Sequence, residues 1–266
     1  MSKILFFGDV FGRPGREALK AALPDFRATY NPDVVIVNVE NLTHGKGVTE
    51  NALADLKDLD IDCYTSGNHV FDKGDFSKAS FESHQNLIRP QNYEGSWPGT
   101  GYYRFAKDGQ QYLVINLNGT VFFEKQFEGT ITNPFFQLDE LLTQQAQKDD
   151  IIIVDFHAEA TSEKQALGWY ADGRVTGVFG THTHVPTADS RVLPKGTAYC
   201  TDVGFCGPVN SVIGVTPENS LATFLEKGKF KFEVAEGGPV VANGIFIETD
   251  GPRVIKIEKI SREIGI

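Results

Sequence analysis

The sequence predicts an α/β fold, a single domain over residues 1–266 with two sheets. Short apolar runs rich in Val, Ile and Phe alternate with stretches of helical periodicity. After Pro98 the texture changes to strands separated by turn residues, and polar residues recur at the downstream ends of the apolar runs. No linker, internal repeat or low-complexity tract interrupts the 266 residues.

Lys3–Phe7 is apolar enough for a central strand. Pro14 opens a helix through about Thr29, because Ala18, Leu19, Ala22, Leu23 and Phe26 fall on one face; Pro24 marks a candidate kink. Val34–Val39 is a second buried strand, Ala52–Leu59 a helix entered near Thr49, and Asp62–Thr65 a short strand ending at Ser66-Gly67. The first hundred residues thus read as repeated β-α-β units. Gly101–Phe105 and Tyr112–Leu117 are strands, Phe135–Gln147 a helix and Ile151–Phe156 another buried strand. A helix capped near Ser162 follows, with Gln165 three residues on as in a capping box. Val175–Gly180 is again a strand, and Ile245–Glu248 with Val254–Ile257 form an antiparallel hairpin around Asp250-Gly251.

An apolar fraction of 41% with 23% charged residues excludes a disordered chain. The longest apolar runs, such as Ile151–Val154, fall far short of the roughly 18 residues that span a membrane. Asp9 follows the first apolar run directly, which argues against a secretory signal and makes a cytoplasmic location the expectation. A net charge of −10 repels polyanions, so neither long nucleic acid nor a membrane is an expected partner. Cys63, Cys200 and Cys206 lack a Cys-x-x-Cys spacing and read as reduced, mostly buried thiols. Trp97 and Phe122-Phe123 could line an interface or a substrate lip, although core packing is the simpler reading.

The chemistry gathers at five strand ends: Asp9, Glu40-Asn41, Asn68-His69, His157, and His182 with His184. Open α/β sheets bind ligands on that rim. Carboxylate, amide and imidazole donors without thiolate suit iron, manganese or zinc. Leaving His69 aside, seven potential ligands exceed what one catalytic ion with an open position needs, yet suit two ions sharing a carboxylate. Glu40 is the best bridge, lying mid-constellation as the only strand-end carboxylate besides Asp9. Each element alone has a plainer explanation. Asp9 could cap a turn, Gly67-Asn68-His69 could be a loop with a satisfied imidazole, His157 could bond only to backbone, and Thr181-His182-Thr183-His184 could hold a single metal. In an extended segment, alternation would send His182 and His184 to one side. His84 reads as surface and His44 as an exposed loop position.

The order Gly8-Asp9, Asn38-Val39-Glu40-Asn41, Gly67-Asn68-His69, His157 and Gly180-Thr181-His182-Thr183-His184 resembles the calcineurin-like metallophosphoesterases. Asp155–Lys164, Gly168-Trp169-Tyr170 and Gly180–Val185 resemble more closely their YmdB-like branch of bacterial cyclic-nucleotide phosphodiesterases, over essentially the whole chain. The resemblance implies a four-layer α/β/β/α sandwich of two mixed sheets and a two-metal centre. It implies a first metal on Asp9, Glu40, Asn41 and His184, and a second on Glu40, Asn68, His157 and His182, with iron suggested by the branch. Phe11 stands where most of the superfamily has a histidine, and Glu40 where it has a bridging Asp. The branch shares both changes, with Asn41 supplying a ligand in place of that histidine. The expected reaction is hydrolysis of a small 2′,3′- or 3′,5′-cyclic nucleotide, through a hydroxide bridging the two metals. His69 is the expected general acid for the leaving alkoxide. A phosphomonoesterase or nucleotidase on the same centre, or a regulatory scaffold with a vestigial site, are the competing expectations. The resemblance also suggests homo-oligomers.

Overall fold

The computed structural model describes residues 1–74, 78–123, 131–228 and 232–265. In chain order the strands are β1 (Ser2–Phe7), β2 (Asp9–Val10), β3 (Val34–Asn38), β4 (Cys63–Thr65), β5 (Tyr102–Lys107), β6 (Gln110–Asn118), β7 (Ile151–His157), β8 (Gly177–Thr181), β9 (Arg191–Val192), β10 (Ala198–Cys200), β11 (Phe205–Pro208), β12 (Val240–Asp250) and β13 (Arg253–Ile264). The helices are α1 (Gly12–Tyr30), α2 (Glu50–Ala54), α3 (Lys78–Ser83), α4 (Pro134–Gln145), α5 (Thr161–Ala171) and α6 (Pro217–Phe224).

Among the described residues the first sheet runs β2-β11-β12-β1-β3-β4, with β13 also on β12; the second runs β5-β6-β7-β8-β10-β9. Each has a parallel heart, β1-β3-β4 in one and β6-β7-β8-β10 in the other, flanked by antiparallel pairings, with β2 joining β11 in parallel at the edge of the first. Strand alternation sorts the core into layers. Ile4, Phe6, Val34 and Ile36 of the first sheet meet Val114, Ile151, Ile153 and Phe179 of the second. The opposite faces, Leu5, Phe7, Val35 and Val37 in one sheet and Leu113, Ile115, Ile152 and Val154 in the other, pack on α1 (Ala18, Leu19, Leu23) and on α4 and α5 (Leu138, Leu141, Leu167). The result is the expected four-layer α/β/β/α sandwich with two mixed sheets. No described helix is long and apolar enough to cross a membrane.

Several local expectations need correction. α1 begins at Gly12, two residues before Pro14, and runs to Tyr30 with Pro24 inside it. α2 is short: Thr49 Oγ1 caps it by accepting from Ala52 N at 3.3 Å. Residues Lys57–Leu59 tighten into a 3₁₀ turn that Asp60 closes in the left-handed region. The capping box at Ser162 does not form, because the Ala160 carbonyl already accepts from Lys164 N, which starts α5 at Thr161 and leaves Ser162 inside its first turn. Phe123 is buried, but Phe122 occupies a left-handed turn position (φ 70°) that turns its ring out, and Trp97 is part-exposed against Phe71 at 4.8 Å. All three cysteines are buried free thiols. His84 bonds the Glu50 carboxylate at 2.8 Å near the surface, and His44 is exposed.

Candidate metal centre

The inter-sheet layer is apolar along most of its length and turns polar toward one rim. On β7, Asp155 and His157 share the face of Ile151 and Ile153; on β3, Asn38 shares the face of Val34 and Ile36. Asp155 accepts from Asn38 Nδ2 at 2.8 Å, from Thr181 Oγ1 at 2.7 Å and from Thr65 Oγ1. Burial pushes its carboxyl up to about 7 against those three bonds.

Above this layer the predicted donors meet. All oxygen donors come from the first sheet: Asp9 on β2, Glu40 and Asn41 after β3, Asn68 after β4. All imidazoles come from the second: His157 on β7, His182 and His184 just past β8. Gly67 permits the junction, since a Cβ there would stand 2.2 Å from Glu40 Oε2 and 2.4 Å from His157 Nε2. Asp9, Glu40, Asn41, Asn68, His157 and His184 are buried, and His182 is partly so.

Hydrogen bonds assign the tautomers. Thr181 Oγ1 donates to Asp155, so it accepts from His157 Nδ1–H at 2.9 Å, leaving a lone pair on His157 Nε2. Burial pushes His157 down to about 4, which keeps the ring neutral near pH 7. Glu159 Oε2 lies 3.0 Å from His182 Nε2, which places a proton there and turns Nδ1 toward His157. Around His157 Nε2 stand Asn68 Oδ1 at 2.9 Å, His182 Nδ1 at 3.0 Å and Glu40 Oε1 at 3.1 Å. Burial works against ionising Glu40, and only a positive charge beside it, a proton on a neighbouring imidazole or a cation, works the other way. With its proton on Nδ1, His157 turns a lone pair toward the oxygens of Asn68 and Glu40, so electron-rich atoms face one another. Adjacent donors on an octahedral ion with bonds of about 2.1 Å are themselves about 3.0 Å apart, so this set fits a cation.

A second convergence lies beside it. His184 Nδ1 donates to the Ile213 carbonyl at 2.8 Å, and Asn41 Nδ2 donates to the Gly45 carbonyl at 3.0 Å. Their remaining atoms, His184 Nε2 and Asn41 Oδ1, face each other 3.0 Å apart, again lone pair against lone pair. Burial lowers His184 and keeps it neutral. Asp9 accepts from His182 N at 3.0 Å through Oδ2, while its buried Oδ1 has no hydrogen-bond partner. Burial, with Glu40 and Asp202 nearby, raises the Asp9 carboxyl well above its ordinary value. A neighbouring cation would relieve that repulsion.

The two histidines of the Thr-His-Thr-His segment arrive by a route that alternation did not predict. Strand β8 ends at Thr181, and His182 and His184 both have left-handed backbones (φ 102° and 66°). Between them Asp202 accepts from Thr183 N at 3.1 Å and Thr183 Oγ1 at 2.8 Å, so the chain coils and the rings reach different donor groups. Lys164 on α5 anchors Asp202 in turn, at 2.6 Å with both side chains 1% exposed.

His69 stands at the cavity beside these donors. Its backbone N–H donates to Glu40 Oε2 at 3.1 Å, and its Nδ1 bonds Asp72 Oδ2 at 2.8 Å, which turns Nε2 away from Asp72. Burial disfavours the charged ring, but the Asp72 bond and Glu40 together raise His69 above its ordinary value.

Sequence reasoning assigned no role to Asp72, Glu159, Lys164 or Asp202. Asp155 was detectable, since a carboxylate two residues before His157 in an otherwise apolar strand needs buried partners.

A family model described as YmdB-like protein matches residues 5–260. The 2′,3′-cyclic-nucleotide 2′-phosphodiesterase of Bacillus subtilis (strain 168) is 43% identical over 260 residues, spanning 97% of this chain and 96% of its own. A crystal structure of a novel phosphatase from Mycoplasma pneumoniae superposes with a TM-score of 0.91 at 40% identity, covering 99% of this chain and 95% of that one. A crystal structure of a hypothetical protein from Thermus thermophilus gives 0.89 at 39%, covering 98% and 99%. Agreement of this kind along nearly the full length means that the chain belongs to the YmdB-like protein family.

Proposed function

We propose that the chain, acting as one domain, is a dinuclear-metal phosphodiesterase that hydrolyses small cyclic nucleotides, the 2′,3′-cyclic class foremost. The facing lone pairs in two adjacent buried groups carry this reading. The relative named for that activity supports the substrate class. Asp9, Glu40, Asn41 and His184 would hold one ion, and Glu40, Asn68, His157 and His182 the other. Iron is the first choice, with manganese or zinc compatible with the oxygen and nitrogen donors.

Bound there, the ions would supply Lewis acidity toward phosphate and acidify a water toward neutrality. Glu40 and Asp9 balance the charge of the pair. Hydrolysis adds water across one phosphorus–oxygen bond, and His69, held by Asp72 with Nε2 free, delivers its proton to the departing ribose oxygen. A His69→Ala protein should lose about a hundred- to ten-thousand-fold in kcat while retaining its metal, because the backbone N–H to Glu40 survives the change. Full turnover in that variant would remove His69 from the reaction.

Glu159 orients a ligand. Removing such a carboxylate from a ligating imidazole typically costs about 10- to 100-fold in metal affinity. Chelator competition should show that loss in Glu159→Ala and a partial recovery in Glu159→Gln, whose amide oxygen still accepts from His182 Nε2–H. Metal analysis followed by a panel of 2′,3′-cyclic, 3′,5′-cyclic and open phosphate esters tests the whole reading. Preference for open monoesters would make the protein a phosphomonoesterase, and a metal-loaded protein inert toward every ester would make it a scaffold.

A further inference from the structure

The cavity over the candidate metal centre, about 240 Å³ in volume, has two unlike walls. One carries the donor side chains and His69. The other is apolar, formed by Phe11, Ile213, Val215 and Phe232. Phe11 sets its ring edge-on to His184 at 5.3 Å and lies 6.0 Å from Phe232, so the apolar wall begins at a proposed metal ligand and runs outward. Phe232, at its outer end, is 45% exposed. A large ring left half-exposed beside a charged site gains only part of what core packing offers, and the face that Lys46 covers loosely is a stacking platform.

Among the described residues, the one Lys or Arg lining this cavity is Lys46. Among the described residues it forms no ion pair; its ammonium rests 5.5 Å from the Phe232 ring centroid, a weak contact. Its place is built by its neighbours. Gly45 and Gly47 have left-handed backbones (φ 79° and 71°), and a Cβ on Gly45 would stand 2.7 Å from the Phe11 ring and 2.9 Å from that of Phe232. Glycine there lets the loop close against both rings and brings Lys46 to the cavity mouth.

We propose that Phe232 and Lys46 form a nucleoside-phosphate subsite, in which the base stacks on Phe232 and the Lys46 ammonium pairs with a phosphate oxygen. The base takes the ring face that Lys46 now covers, which frees the cation for the phosphate. Recognition of the two halves of the ligand is thereby coupled. The inference rests on the reading of the site as a cyclic-nucleotide phosphodiesterase and adds how it selects a nucleoside over a bare phosphate ester.

Calorimetry on the metal-loaded protein tests it, with cytidine 3′-monophosphate and inorganic phosphate as probes. The wild type should bind the nucleotide roughly five- to a hundred-fold more tightly than phosphate. In Phe232→Leu that ratio should fall toward one; Lys46→Met should weaken both probes, and Lys46→Arg should recover them. Both side chains are exposed, and thermal unfolding verifies that the variants fold. Equal affinity for the two probes in the wild type, no measurable binding of either, or an unchanged ratio in Phe232→Leu overturns the subsite. A protein that keeps the ratio but turns over no cyclic nucleotide retains the subsite and loses the hydrolase reading. Turnover with a ratio of one does the reverse.

Discussion

Replacing Glu40 with Gln should empty the centre. The substitution keeps the shape of the side chain and removes one negative charge from between the two proposed ions. At about 4 Å and an effective dielectric near 20, a unit charge is worth about 4 kcal/mol to a neighbouring ion, or nearly three powers of ten in affinity. Elemental analysis after dialysis should therefore find Glu40→Gln largely metal-free, with turnover of a 2′,3′-cyclic nucleotide lost alongside. The fold should survive, because Gln keeps the shape of the side chain and escapes the desolvation cost of a charge at this buried position. Wild-type metal content in this variant would show that Glu40 does not bridge.

The second large effect belongs to a residue outside the donor set. Lys164→Met should destabilise the protein by about 3–5 kcal/mol, since it leaves Asp202 charged and buried. Bonds from Thr183 and from Gly204 N to Asp202 favour the lower end. At about 2–4 °C per kcal/mol, the expected fall in Tm is roughly 10 °C. The double variant Lys164→Met/Asp202→Asn should recover much of that stability, because no unpaired charge remains. It should not recover metal binding fully, since the Asp202 carboxylate is what coils Thr183 between His182 and His184. A Lys164→Met protein as stable as the wild type would show that the ion pair contributes nothing net.

What could be read from the sequence follows from how local each signal is. Every donor closes a buried strand or lies within a few residues of its end, so an apolar run interrupted by Glu40 or His157 marks the rim without knowledge of any contact. Layer order was equally accessible from alternation, which puts Ile4 and Phe6 on one face of β1 and Leu5 and Phe7 on the other. The path of the Thr-His-Thr-His segment was not. Its coil depends on Asp9, 173 residues away from His182, and on Asp202, whose own position depends on Lys164. The Ser162 cap failed for a related reason: a local motif was present, but backbone geometry set two residues earlier, at Ala160, had already started the helix.

The division of donors between the sheets has a consequence for assembly. A chain with only its first sheet in place presents carboxylates and amides; one with only its second presents imidazoles. Neither half offers the mixed set, and the Asn38–Asp155 bond that aligns them forms only once the two faces are seated. Uptake of the proposed ions would therefore reward the last stage of folding, and unfinished chains would be poor scavengers of metal.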